Sequence, residues 1–260
     1  MRTFIYCWSG IHKLNENFIQ FTFQDILSKL FGIQDPELLN TLKPWGYGIG
    51  LLEILTGLFL FIPRTRKAGV LLAIGTHVFI LIYLSPLGVN RNYIVFPWNL
   101  AMIMLVYVAF WEVRNNALRW DFNFVKTTFL NGFALIVAWL LPALNFAGYW
   151  DNYLAFSLYS EKVNDYYIIV AETALPQIDN ELSAYFLKSD QLQGGQIIDV
   201  NKWAYTEMNV PFYPETRVFR QICLPFCHLN IPEGELYFLE LEKPAAKGKF
   251  YRFTCQDLRP

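Results

Sequence analysis

Charge is scarce in this 260-residue chain. Asp, Glu, Lys and Arg make up 17% of it, against 54% hydrophobic and 18% aromatic residues. Soluble domains carry about 25% charged residues, so a single water-exposed domain fits the whole chain poorly. Histidine is scarcer still, with His12, His77 and His228 as the complete set. There is no His-x-x-x-His and no Cys-x-x-Cys, so no protein-built metal site is expected. No glycine-rich phosphate loop occurs either. Gly46-Tyr47-Gly48-Ile49-Gly50 opens an apolar run and reads as a place for close helix packing. With a net charge of −1 and no basic cluster beyond Arg64–Lys67, nucleic acid is not an expected partner. The first apolar run ends in His12-Lys13-Leu14-Asn15 rather than at a small-residue cleavage site, which argues against a secretory signal. It is also shorter than the roughly 20 residues a membrane span needs, and reads as the last part of a helix.

What is present divides unevenly. Residues 1–149 hold 11 Lys/Arg against 7 Asp/Glu, whereas residues 150–260 hold 10 against 15. This predicts a transmembrane helical domain over 1–150 and a small water-soluble α+β domain over 151–260. Four longer apolar segments occupy the front: Tyr47 to Pro63, Ala68 to Leu87, Phe96 to Val113 and Thr128 to Trp150. Each is near spanning length, which makes the lipid bilayer the expected surroundings of about four full spans plus a partial N-terminal helix. Between Glu16 and Pro44, apolar residues such as Phe18, Ile19, Phe23, Ile26 and Leu27 recur at helical spacing among polar ones. An interfacial helix is predicted there, followed by a loop containing Asp35-Pro36 and Lys43-Pro44.

Basic residues in short loops orient the spans. Arg64, Arg66 and Lys67 mark one cytoplasmic loop, and Arg114, Arg119 and Lys126 the next, two crossings later. Lys13 and everything after Trp150 then fall on the outer side. In that outer part, Leu154–Tyr159, Tyr166–Val170, Arg217–Cys223, Leu236–Leu241 and Phe250–Thr254 read as strands. Glu181–Leu187 and Asp199–Met208 read as short helices. Cys223, Cys227 and Cys255 allow one disulfide and leave an odd thiol, with the pairing open.

The residues that invite chemistry lie in the membrane half. Lys13 closes the first apolar run beside His12. Burial favours a neutral, basic lysine, while a lysine at a helix end also snorkels to headgroups, and both readings stand. His77 sits mid-span, at about the membrane depth of Glu53 if both helices cross fully. It suits either acid–base work or an interhelical hydrogen bond.

Ser9-Gly10-Ile11-His12-Lys13-Leu14-Asn15-Glu16-Asn17-Phe18 resembles the lysine motif of the HTTM (horizontally transferred transmembrane) domain, shared with vitamin K-dependent γ-glutamyl carboxylase. Thr76-His77-Val78-Phe79 and Phe96-Pro97-Trp98-Asn99 are similar to that family's histidine and Phe-Pro elements, in the same order. The resemblance implies a bacterial inner-membrane protein using a reduced quinone of the vitamin K or menaquinone type. Lys13 and His77 would be catalytic, with His12, Glu53, Trp98 and Asn99 supporting them or the cofactor. The resemblance also implies carboxylase-like or quinone-dependent activity opening toward the outer side. Departures accompany it: the family has helices before the lysine motif, so either a gene fragment is being read or another chain supplies them; the outer domain is much smaller than the carboxylase's substrate-binding portion; and Thr76 replaces the family's phenylalanine, with no amide after His77. Gly10-Ile11-His12-Lys13-Leu14 equally resembles the Gly-x-x-Lys-Leu element of DoxX-like redox-associated membrane proteins. A non-catalytic scaffold or accessory subunit is the further alternative.

Overall fold

Glycine at a helix contact lets two backbones approach closely, and the first helix uses it. In the computed structural model, which describes residues 3–111, 132–134, 136–183, 185–188, 195–242 and 249–258, α1 (Phe4–Lys13) packs along α4 (Tyr47–Phe61). A Cβ on Gly10 would stand 2.4 Å from the Gly50 carbonyl oxygen, and one on Gly50 would stand 2.8 Å from the Gly10 carbonyl oxygen. Only paired glycines permit that separation. α4 packs in turn on α5 (Arg66–Leu84), and α5 on α6 (Val95–Phe110). Tyr6, Leu60, Val70, Ala73, Met102 and Val106 form the core these helices share.

Two helices are long and apolar enough to cross a membrane, Pro36–Phe61 with 26 residues and Arg66–Leu84 with 19. The four-span expectation is met only in part. α6 has 16 residues. The described part of the fourth segment is helical at 132–134, π-helical over Ile136–Leu140 and 3-10 over Leu141–Ala147. Glu112, Val113, residues 128–131 and the basic loop of Arg114, Arg119 and Lys126 lie outside the described residues. Arg66, assigned to a cytoplasmic loop, begins α5 instead, 2% exposed, with Nε donating to the Leu60 carbonyl at 3.3 Å.

The helix expected after Glu16 is present, broken into α- and π-helical pieces. Glu16–Phe18 (α2) continues into π-helical Ile19–Phe23 and Ile26–Leu30. Its apolar face is buried on protein: Phe18, Ile19, Phe23 and Leu27 form a cluster against Leu39, Leu42 and Ile49. The expected loop is also helix. Asp35 accepts from Glu37 N with Pro36 at the first position of α3 (Pro36–Leu42), and Pro44 sits in a 3-10 turn, Lys43–Gly46. Asx capping and an N-terminal proline start helices, so these residues mark a beginning and not a break.

The chain divides into Met1–Lys162 and Val163–Pro260, twelve residues later than composition placed the boundary. Leu154–Tyr159 belongs to the first unit and is a series of turns with positive φ at Phe156 and Tyr159, not a strand. Its aromatic residues serve packing, as Phe156 on Phe4 at 5.4 Å between ring centres shows.

The second unit holds an antiparallel sheet in the order β2-β3-β1-β4-β5. The strands are β1 (Asp165–Ala171), β2 (Leu187–Lys188), β3 (Gly195–Asp199), β4 (Leu236–Leu241) and β5 (Phe250–Phe253). Ile168 pairs with Ile198 on one side and Phe238 on the other, and all three are fully buried. Asp199 caps the helix Val200–Met208 by accepting from Asn201 N and Lys202 N. Asn180–Ser183 is a single helical turn. Thr216–Cys223 is a helix and not the expected strand. Val218, Phe219, Ile222 and Cys223 fall on one helical face and pack on the sheet core, so the period of 3.6 overrides β-branched propensity. Cys227 is bonded to Cys255, and Cys223 is a buried free thiol, as is Cys7 in the first unit.

Candidate functional site

Tyr6, Ser9 and Lys13 follow one another at three- and four-residue steps, so α1 presents them on one face. Lys13 Nζ donates to Glu53 Oε2 of α4 at 2.9 Å and to Ser9 Oγ at 2.6 Å. Its third direction has only the Ser9 carbonyl, at 3.5 Å. Both charged side chains are buried, so the ion pair is shielded from water and close to its partners. The Gly10–Gly50 contact is what brings α1 near enough for Lys13 to reach Glu53.

A second chain of hydrogen bonds lies on the same face. His77 of α5 stands between Tyr6, with Nε2 2.9 Å from the phenol oxygen, and Asn99 of α6, with Nδ1 2.8 Å from Oδ1. The Asn99 amide nitrogen donates to the Val95 carbonyl at 2.8 Å. That bond leaves Oδ1 facing the imidazole, so Nδ1 carries the proton and Nε2 accepts from Tyr6. Asn99 thereby sets the tautomer of His77, and His77 polarises the Tyr6 hydroxyl. Tyr6 also packs edge-on against the imidazole at 5.8 Å.

Glu53 acts electrostatically on both Tyr6 and His77. Through it, the ion pair and the tyrosine–histidine–asparagine chain form one buried polar cluster contributed by α1, α4, α5 and α6. No hydrogen bond joins Lys13 directly to His77. The cluster has proton donors, a neutral imidazole acceptor and a carboxylate within a low-dielectric interior, which is the inventory of a proton-handling site.

The residues expected at the site separate into two groups. Lys13, Glu53, His77 and Asn99 come together. Trp98 does not, being 60% exposed on the outside of α6. His12 turns away from Lys13 onto another face of α1 and stacks on Phe146 at 4.9 Å. Glu53 pairs with Lys13, although depth alone had matched it to His77. Tyr6 and Ser9 were missed, and their spacing from Lys13 was the available signal. Asn15, within the lysine motif, has a structural role: it accepts from Phe18 N at 3.0 Å and donates to the carbonyls of His12 and Ser160 at 2.7 and 2.8 Å.

Comparisons with protein-family models, curated proteins and solved structures found no match to this chain.

Proposed function

We propose that this chain is an integral membrane protein of HTTM-like kind, a helical bundle with an outward-facing α+β domain, that handles protons for a reduced quinone. The supporting observation is the convergence of Lys13, Glu53, Tyr6, His77 and Asn99 from four helices onto one buried cluster. Ionisable residues inside a membrane bundle are costly and usually mark function. The bilayer of a bacterial inner membrane is the surroundings this reading assumes. The Cys227–Cys255 bond is consistent with an oxidising outer side for the second unit.

The residues fit a quinol's two hydroxyls. The third direction of the Lys13 ammonium, met only by the Ser9 carbonyl at 3.5 Å, suits an oxygen ligand, and His77 is held in the tautomer that accepts a proton at Nε2. The quinol, when bound, supplies the redox chemistry and a strong base on its reaction with oxygen. In this reading Lys13 passes its proton to Glu53 and becomes the base for a hydroxyl. His77 Nε2 takes a proton through Tyr6, while Asn99 holds Nδ1–H. Whether a carbon acid is then carboxylated is a further step that this cluster alone does not require.

A second reading has its own support. Lys13 donating to Glu53 across the tight Gly10–Gly50 contact is also the geometry of a clasp closing α1 on α4, as a DoxX-like or scaffold protein would use. Turnover of reduced menaquinone by the purified chain in liposomes separates the two. A base must release its proton, so Lys13→Met and Lys13→Arg both abolish turnover under the first reading. A clasp tolerates arginine. Failure of the wild-type chain to bind or oxidise the quinol would replace the first reading by the second.

A further inference from the structure

On the other face of α1, several buried polar groups have no partner. His12 is 1% exposed and neither ring nitrogen has a partner in hydrogen-bond geometry among the described residues, although the Ala155 backbone lies beside the ring. Trp8 Nε1 and Lys162 Nζ are likewise buried and unpartnered. All three groups surround one ring. Lys162 Nζ lies 3.7 Å from the centre of Phe146, the His12 ring 4.9 Å and the Trp8 ring 6.4 Å. The Phe146 face partly compensates the ammonium, but a π face is no substitute for an anion. Burial holds the Lys162 ammonium below the usual lysine range, as expected of a cation without a counter-charge. Indole and ammonium are donors only, and a neutral imidazole adds one donor and a single acceptor nitrogen, so the cluster is short of acceptors. Phe146 is 54% exposed, so a single ring stands between these groups and the surface.

A second feature lies along the same stripe. Phe4, Trp8 and His12 are four residues apart, so one side of α1 carries all three over a rise of about 12 Å. At the Phe4 end is an apolar cavity of about 400 Å³ lined by Phe4, Ala138, Trp150, Leu154 and Phe156. Phe156 follows Ala155, whose backbone is beside His12, so the cavity and the donors share walls. An open apolar pocket at one end of a stripe and a buried cation without an anionic partner at the other describe an amphiphile.

We infer that the first unit carries a binding site for an anionic lipid, with its oxyanion head held by Trp8, His12 and Lys162 and its alkyl chain in the cavity at Phe4. The head is a carboxylate or a phosphodiester. Both present several acceptor oxygens to the three donors, and both meet the positive charge of Lys162. The site is distinct from the Lys13 cluster and does not depend on quinone chemistry.

The experiment uses the full chain purified in dodecyl maltoside, with thermal shift and tryptophan fluorescence as readouts. The probes are oleate, methyl oleate, dioleoyl phosphatidylglycerol, dioleoyl phosphatidylcholine and inorganic phosphate. Saturable binding of oleate or phosphatidylglycerol at least tenfold tighter than of its neutral-headed counterpart is expected, and the tighter of the two identifies the head. Lys162→Gln removes that preference. Leu154→Trp, at a half-exposed position that fills the cavity, weakens both anionic lipids. Equal affinity for charged and neutral amphiphiles, an undiminished preference in Lys162→Gln, or an equal response to inorganic phosphate alone would each overturn the site. Should Lys162→Gln not fold, the wild-type comparison of oleate with methyl oleate decides it.

Discussion

Removing Glu53 leaves a buried ammonium with only the hydroxyl and the distant carbonyl of Ser9. At 2.9 Å the Lys13–Glu53 attraction is worth about 6 kcal/mol for an effective dielectric near 20. Relaxation and neutralisation of the orphan return part of that, so Glu53→Leu should cost about 3–5 kcal/mol. Lys13→Met orphans the carboxylate and should cost a similar amount. The double variant, Lys13→Met with Glu53→Leu, replaces the pair by apolar groups of comparable size. It removes both desolvation penalties, so it should be more stable than either single variant and close to wild type. The coupling energy of the cycle is then at least about 3 kcal/mol. Reversible unfolding in mixed detergent micelles, followed by circular dichroism, measures all four proteins on one scale. Single variants costing less than about 1 kcal/mol each, with additive effects in the double, would mean a solvated pair. The picture of a buried pair would then be refuted.

Two further outcomes follow from packing and burial. Gly10→Ala puts a methyl 2.4 Å from the Gly50 carbonyl and 2.8 Å from Ile54 Cγ1, so α1 must move off α4. It should destabilise by about 1–3 kcal/mol in the same unfolding assay, whereas Gly48→Ala, with nothing within 4 Å of the new Cβ, should be neutral or stabilising. In the second unit, Tyr166, Tyr167 and Cys223 are all pushed above their ordinary values, chiefly by burial, with Glu240 adding to the shift at Tyr166 and Asp165 at Tyr167. Groups raised in the folded state contribute fully below their unfolded values and lose that contribution as pH rises toward the folded ones. Stability should therefore fall above about pH 9, first through the thiol and then the phenols. Absorbance at 295 nm should show buried tyrosinate appearing together with loss of near-ultraviolet dichroism, and ordinary titration near pH 10 with the dichroism intact would count against the buried assignments.

The parts of the fold that were legible in the sequence are those where one signal dominates. Apolar runs located α4, α5 and α6, and strand-like runs of aromatic and aliphatic residues located β1, β4 and β5. Thr216–Cys223 was misread because a short run with valine and isoleucine carries no length to separate strand from helix. Leu154–Tyr159 was misread because aromatic residues that pack a turn look like those of a strand. At the site, Lys13 and His77 stood out as ionisable groups among apolar neighbours, and Asn99 came with its motif. Their partners did not follow, because the choice of Glu53 for Lys13 depends on how closely α1 and α4 approach at Gly10 and Gly50. Tyr6 was hidden by being an ordinary aromatic in an apolar run, although its seven-residue spacing from Lys13 places it on the same face.

The central claim is that the buried cluster moves protons for a quinol, and Tyr6→Phe tests it most directly. That change deletes one oxygen and leaves the ring, the Lys13–Glu53 pair and the helix contacts in place. With His77 Nε2 deprived of its donor, reduced-menaquinone turnover in liposomes should fall by about 10²-fold, the usual scale of an acid–base contribution, while the orphaned nitrogen costs only about 1–3 kcal/mol of stability and the chain stays folded. Turnover equal to that of the wild-type chain would contradict the account.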